Sequence, residues 1–206
     1  MNNKKIMQGV WSYLDFVTKF TVRIISFQDD GSVSHRSGFL YQPNESDWPL
    51  IITAGHGCPK KGSFVETRIL KDGRPLCYNA GEFKVFITED TVDLAYSKIP
   101  FDAIRKDLSS DQSIEFKAYN DKFYVASKAT SYGFAVLNNY EATEENLLPQ
   151  YYCYEVGMEL NSADNWQYFF KTSSDQLKKD EYYQGASGSP ITDPEGRICS
   201  LLLGST

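Results

Sequence analysis

An all-β architecture, a sandwich or a barrel, is what this chain of 206 residues predicts. Short runs rich in Tyr, Phe, Val and Ile recur along it, with turn-forming Gly, Asp, Asn and Pro between them. Aromatic residues make up 15% of the composition. No run of βα alternation interrupts the pattern, which argues against an α/β sheet.

The elements follow in order. Residues 1–20 carry Ile6, Val10, Trp11, Leu14, Phe16 and Val17 at spacings that roughly follow a helical face, so an amphipathic helical extension is expected there. A strand over 21–27, a hairpin turn at Asp29-Asp30-Gly31-Ser32 and a return strand over 35–41 come next. After a polar loop, the apolar run from Pro49 stops abruptly at Thr53-Ala54-Gly55-His56-Gly57-Cys58, a histidine among small residues. Further strands are expected over 64–70, 81–87 and 91–99, with a turn at Lys71-Asp72-Gly73-Arg74 and Asp93 at the mouth of the last strand. Residues 100–112 lack strand character and read as a linker between two halves. The second half repeats the style over 123–125, 129–134, 151–160 and 166–171. It ends in a Gly-rich loop, Tyr183-Gln184-Gly185-Ala186-Ser187-Gly188-Ser189-Pro190, and a final hairpin through 191–203.

Composition excludes several functions. A net charge of −6 disfavours a nucleic-acid partner, and the nearest basic pair, Lys178-Lys179, is followed at once by Asp180-Glu181. No apolar run reaches the length of a membrane span, and no signal peptide is evident, so a cytoplasmic protein is expected. Cys58, Cys77, Cys153 and Cys199 form no Cys-x-x-Cys pair. With only two histidines in the chain, no metal site is expected, and the cysteines are expected as reduced, buried thiols.

Chemistry concentrates in three places. A serine hydroxyl needs an imidazole to take its proton, and the imidazole needs a carboxylate to hold it in one tautomer. Ser187, His56 and Asp93 fill these roles at strand ends or loops, while the N–H groups of Gly185 and Ser187 can converge on one point as an oxyanion hole. The order of histidine, acid, serine separates scaffolds. An α/β-hydrolase would place its histidine after the serine, and none follows Ser187 here. His35 is the one rival base, and its polar hairpin marks it as structural.

The three stretches, Thr53 to Cys58, Asp93-Leu94-Ala95 and Gly185 to Pro190, resemble the signature motifs of the chymotrypsin-like (trypsin-like) serine proteases. Ser37-Gly38-Phe39 is similar to the small-residue stretch before the histidine strand in bacterial members. The Gly-x-Ser-Gly-Ser-Pro form is similar to that of bacterial glutamyl endopeptidases. The resemblance implies two perpendicular six-stranded β-barrels, the first over residues 21–105 with His56 and Asp93, the second over 106–206 with Ser187 and the oxyanion hole. It implies a serine endopeptidase that needs no cofactor and no metal, acting on a protein or peptide substrate, with a regulatory protein partner as a further expectation.

Three departures from the family pattern shape those expectations. Ala186 stands where secreted members carry an aspartate that pairs with a freed N-terminus, so activation by trimming is not expected. Cys58 lacks its usual disulfide partner. The sequence stops at Thr206, short of one more strand and a terminal helix, so the second barrel is expected to lack its last strand, to continue in a longer protein, or to be completed by a partner. The resemblance further implies that Glu181, counted back from Ser187, stands where the family has the base of its substrate pocket, with Tyr182 beside it and Leu203 on the strand after the nucleophile; a solvated Glu181 is the favoured reading. Two rivals stand beside the peptidase: a catalytically idle protease-like module that binds proteins, and an esterase using the same groups.

Overall fold

The computed structural model describes residues 20–27, 30–42, 49–58, 62–72, 74–88, 92–99, 132–141, 150–163, 168–172, 185–192 and 198–203. These residues are essentially all-β, as the sequence predicts. Of the helical extension expected over 1–20, all but Phe20 lies outside them, as do the linker over 100–112 and the strand over 123–125.

Among the described residues, twelve strands form two sheets. The first holds β1 (Thr21–Phe27), β2 (Val33–Tyr41), β3 (Leu50–Thr53), β4 (Ser63–Lys71), β5 (Arg74–Ala80), β6 (Lys84–Thr88) and β7 (Val92–Lys98), in the spatial order β5-β4-β1-β2-β3-β7-β6. The second holds β8 (Tyr132–Glu141), β9 (Gln150–Ala163), β10 (Tyr168–Thr172), β11 (Pro190–Thr192) and β12 (Ile198–Leu201), in the order β10-β9-β8-β11-β12. Every described pairing is antiparallel, so short turns suffice to join neighbours.

Alternation with a period of two sets burial over most of β1, whereas four consecutive residues of β2, Ser37 to Leu40, are buried on both faces. In β1, Val22 and Ile24 are fully buried, and across β2, Phe39 and Leu40 join them. The core continues through Ile51, Val65, Ala95 and Ile99, and Ile198 of the second sheet belongs to the same cluster. The two sheets therefore share apolar contacts rather than standing apart. At the β1–β2 hairpin, Ser32 N donates to Asp30 Oδ1 (2.9 Å), the local bond that makes aspartate a turn former.

One strand was not expected. The sequence reading passes from the turn at residue 74 to a strand at 81, yet β5 occupies Arg74–Ala80 and β6 begins only at Lys84. Pro75 and Asn79 disguise β5, since both are depleted in strands. It tolerates them because it is an edge strand, where a missing N–H costs no ladder bond. Its buried face is regular: Leu76, Tyr78 and Ala80 point inward while Pro75, Cys77 and Asn79 are exposed.

Candidate active site

Strand pairing brings His56 and Asp93 together before any side chain is considered. β3 pairs with β7 so that Thr53 faces Ala95. Continuing that antiparallel register past Thr53 sets Asp93 beside the turn that carries His56. The Asp93 carboxylate then receives both groups that histidine offers: His56 N donates to Oδ1 (2.6 Å), and His56 Nδ1 bonds Oδ2. A carboxylate at Nδ1 holds the proton on that nitrogen, which leaves Nε2 as an acceptor. Nε2 lies 3.2 Å from Ser187 Oγ.

Ser187 sits on a tight turn just ahead of β11. Ser189 N donates to Ala186 O (2.9 Å), closing a four-residue turn with Gly188 in its third position at φ +93°, the backbone a type II turn demands there. Gly188 N donates to Leu202 O (2.8 Å) and Leu202 N to Ser189 O (2.9 Å), so the turn is fastened to the segment that follows β12. The first sheet grips it as well. Ser37 N donates to Ser187 O (3.1 Å), Ser37 Oγ donates to Gly185 O (2.7 Å), and Thr53 Oγ1 donates to Ser37 O (2.7 Å). Gly185 has φ +78°. Among the described residues no acceptor takes the N–H of Gly185 or of Ser187, and both remain available at the turn.

Gly188 admits no side chain. A Cβ there would stand 2.0 Å from Ser37 O and 2.3 Å from Thr53 Oγ1, in addition to the cost of a positive φ. Gly188→Ala is expected to destabilise the protein by at least about 2 kcal/mol, read as a lower urea midpoint with an unchanged slope.

The remaining sequence candidates are placed as follows. Leu203 reaches the site through its backbone: Ser187 Oγ donates to Leu203 O (3.1 Å), so its single proton must swing from that carbonyl to His56 Nε2, 3.2 Å away, before it can be transferred. Glu181 and Tyr182 lie outside the described residues. His35, on β2, is not part of the row; burial presses its pKa down, with Arg23 nearby adding to the effect. Ala186 is buried. Cys58 and Cys77 are free thiols, and Cys77 is exposed rather than buried as expected. Burial pushes the Cys58 thiol up to about 11. At pH 8 only about a thousandth of it is thiolate; the Cys77 thiol is pushed up by burial too, but it is the more exposed of the two, so iodoacetamide is expected to modify Cys77 before Cys58, as peptide mass mapping would show.

Two residues that hold the site carry no sequence signal. The sequence marks Ser37 only as a small residue and Arg36 only as part of a strand, yet Arg36 donates from Nη1 to Ala54 O (3.0 Å) and His56 O (2.9 Å), and from Nη2 to Gly57 O. Among the described residues, no group of three or more His, Cys, Asp or Glu is placed to hold a metal ion.

The chain shares the fold of chymotrypsin-like serine proteases, as comparison with solved structures shows. The crystal structure of Deg5 matches with a TM-score of 0.61 at 11% identity, covering 100% of this chain and 88% of that one. The active form of the Rv3671c protease from M. tuberculosis matches with a TM-score of 0.53 at 15% identity, over 94% of this chain and 74% of that one. The serine endoprotease from Yersinia pestis matches with a TM-score of 0.53 at 13% identity, over 93% of this chain and 56% of that one. At these identities the likeness is one of fold. No protein-family model matches the chain, and no curated protein does.

Proposed function

We propose that this protein is a serine endopeptidase that hydrolyses peptide bonds through an acyl-enzyme on Ser187. The observation that carries the reading is the single row Asp93–His56–Ser187, with Nε2 of the ring 3.2 Å from the hydroxyl. In the first step Ser187 Oγ attacks the scissile carbonyl carbon while its proton passes to His56 Nε2. Asp93 stabilises the imidazolium and keeps the ring oriented. The carbonyl oxygen, now an anion, is held by the N–H groups of Gly185 and Ser187. As the tetrahedral intermediate collapses, His56 returns the proton to the leaving amine. Water, deprotonated by the same ring, then releases the acyl group and restores Ser187. Neither a cofactor nor a metal is required for these steps.

On this reading residues 21–105 supply base and acid, residues 106–206 supply the nucleophile, and each forms one β-barrel. Glu181, Tyr182 and Leu203 are proposed for the substrate cleft from their sequence positions relative to Ser187. The substrate is a protein or peptide, and a cytoplasmic setting would call for a regulatory protein partner that restrains cutting.

A fluorophosphonate probe tests the proposal on the full chain. Stoichiometric labelling mapped to Ser187, together with cleavage of a peptide library, is the expected result. Absence of labelling would point to an idle binding module, and labelling with ester but no peptide hydrolysis would point to an esterase.

A further inference from the structure

Arg36 makes three hydrogen bonds, and all three go to main-chain carbonyls of the turn that carries His56. One acceptor is the carbonyl of His56 itself (2.9 Å), and the others, Ala54 and Gly57, lie on either side of it. Beyond the end of β3 this turn has few other ties: Cys58 N donates to Gly55 O (3.1 Å), and His56 N to Asp93. Gly57 makes room for the guanidinium. Its φ is +59°, and a Cβ on it would stand 2.9 Å from Arg36 Nη2.

The planar fork of five N–H donors explains why arginine stands here. One rigid group spans carbonyls on both sides of the histidine, whereas a lysine ammonium offers three donors from one point. Arg36 is only partly exposed, and burial lowers its pKa against the opposing pull of Cys58 and Asp93. A cation drawn partly out of water needs hydrogen bonds in place of its hydration, and three of the five N–H donors find them on this turn.

We propose that Arg36 is a positioning residue: it clamps the backbone of residues 54–57 and thereby holds the His56 ring between Asp93 and Ser187. This deepens the reading of His56 as the general base and rests on it. A ring that pivots on a loosened turn loses its alignment with Oγ at 3.2 Å, and misplacement by about 1 Å can cost on the order of 100-fold in rate. Because the alignment of the ring governs proton transfer, and Arg36 bonds only the turn at 54–57 and none of the residues proposed for substrate binding, the loss falls on kcat rather than on KM.

The experiment compares wild type with Arg36→Met and Arg36→Lys by three readouts: kcat and KM on a cleaved peptide, cooperative melting, and the downfield proton NMR resonance of His56 Nδ1–H. Arg36→Met is expected to lose about 100-fold in kcat with KM within about twofold, and to broaden or lose the resonance. Arg36→Lys recovers part of both. Wild-type kcat with an intact resonance in Arg36→Met overturns the proposal. If Arg36→Met fails to melt cooperatively, Arg36→Lys is read alone: about tenfold or more lost from kcat supports the clamp, and an unchanged kcat overturns it. Should the wild type itself neither cleave nor take the fluorophosphonate, the peptidase reading fails, while the resonance still reports whether Arg36 holds the ring.

Discussion

Ser187→Ala is expected to lower kcat for peptide cleavage by about 10⁶-fold while leaving the fold intact. The alanine methyl cannot form an acyl-enzyme, and what survives is the modest rate from substrate binding and the oxyanion donors. Stability should change little. The hydroxyl donates to Leu203 O at 3.1 Å, and removing one such bond from a partly exposed group costs about 1 kcal/mol. The turn itself is held by main-chain bonds of Ser37, Gly188 and Leu202, which the substitution does not touch. A single-turnover assay beside a thermal melt separates the two effects. Retention of more than about 1% of wild-type kcat would place the nucleophile elsewhere.

Asp93→Asn is expected to cost about 10⁴-fold in kcat with the geometry preserved. Asp93 accepts two hydrogen bonds from the same residue, one from His56 N at 2.6 Å and one from Nδ1. An asparagine offers a single acceptor oxygen. If that oxygen stays on the backbone N–H, the side-chain NH₂ faces Nδ1 and forces the ring proton onto Nε2, where it blocks the base. The resonance of Nδ1–H should vanish in this variant, although the melting temperature should fall by only a few degrees. A near-normal kcat would show that the carboxylate holds the turn without orienting the ring.

Most of the first sheet was legible because apolar alternation is a direct imprint of a half-buried strand, and β1, β3 and β7 stand close to where that pattern ends. β5 was not, because an edge position relaxes the rules that normally exclude Pro75 and Asn79. The same split applies to the candidate site. Ser187 and His56 were conspicuous because reactive groups set among glycine and alanine are poor packing residues. Arg36 and Ser37 were silent for a physical reason. Their partners are main-chain carbonyls and amides, which every residue possesses, so no pattern of side chains announces such a contact. Glu181 and Tyr182 remain sequence expectations.

The grip of Ser37 on the Ser187 turn is long-range, since Ser37 Oγ and Gly185 O are 148 residues apart in a sequence of 206. Base and acid are already neighbours through β3 and β7, but the hydroxyl reaches them only when this late segment docks onto β2. Contacts of such range form slowly. During synthesis the Asp93–His56 pair can thus assemble before Ser187 has been added to the chain, and the three groups meet only after the turn at 185–188 has folded onto β2.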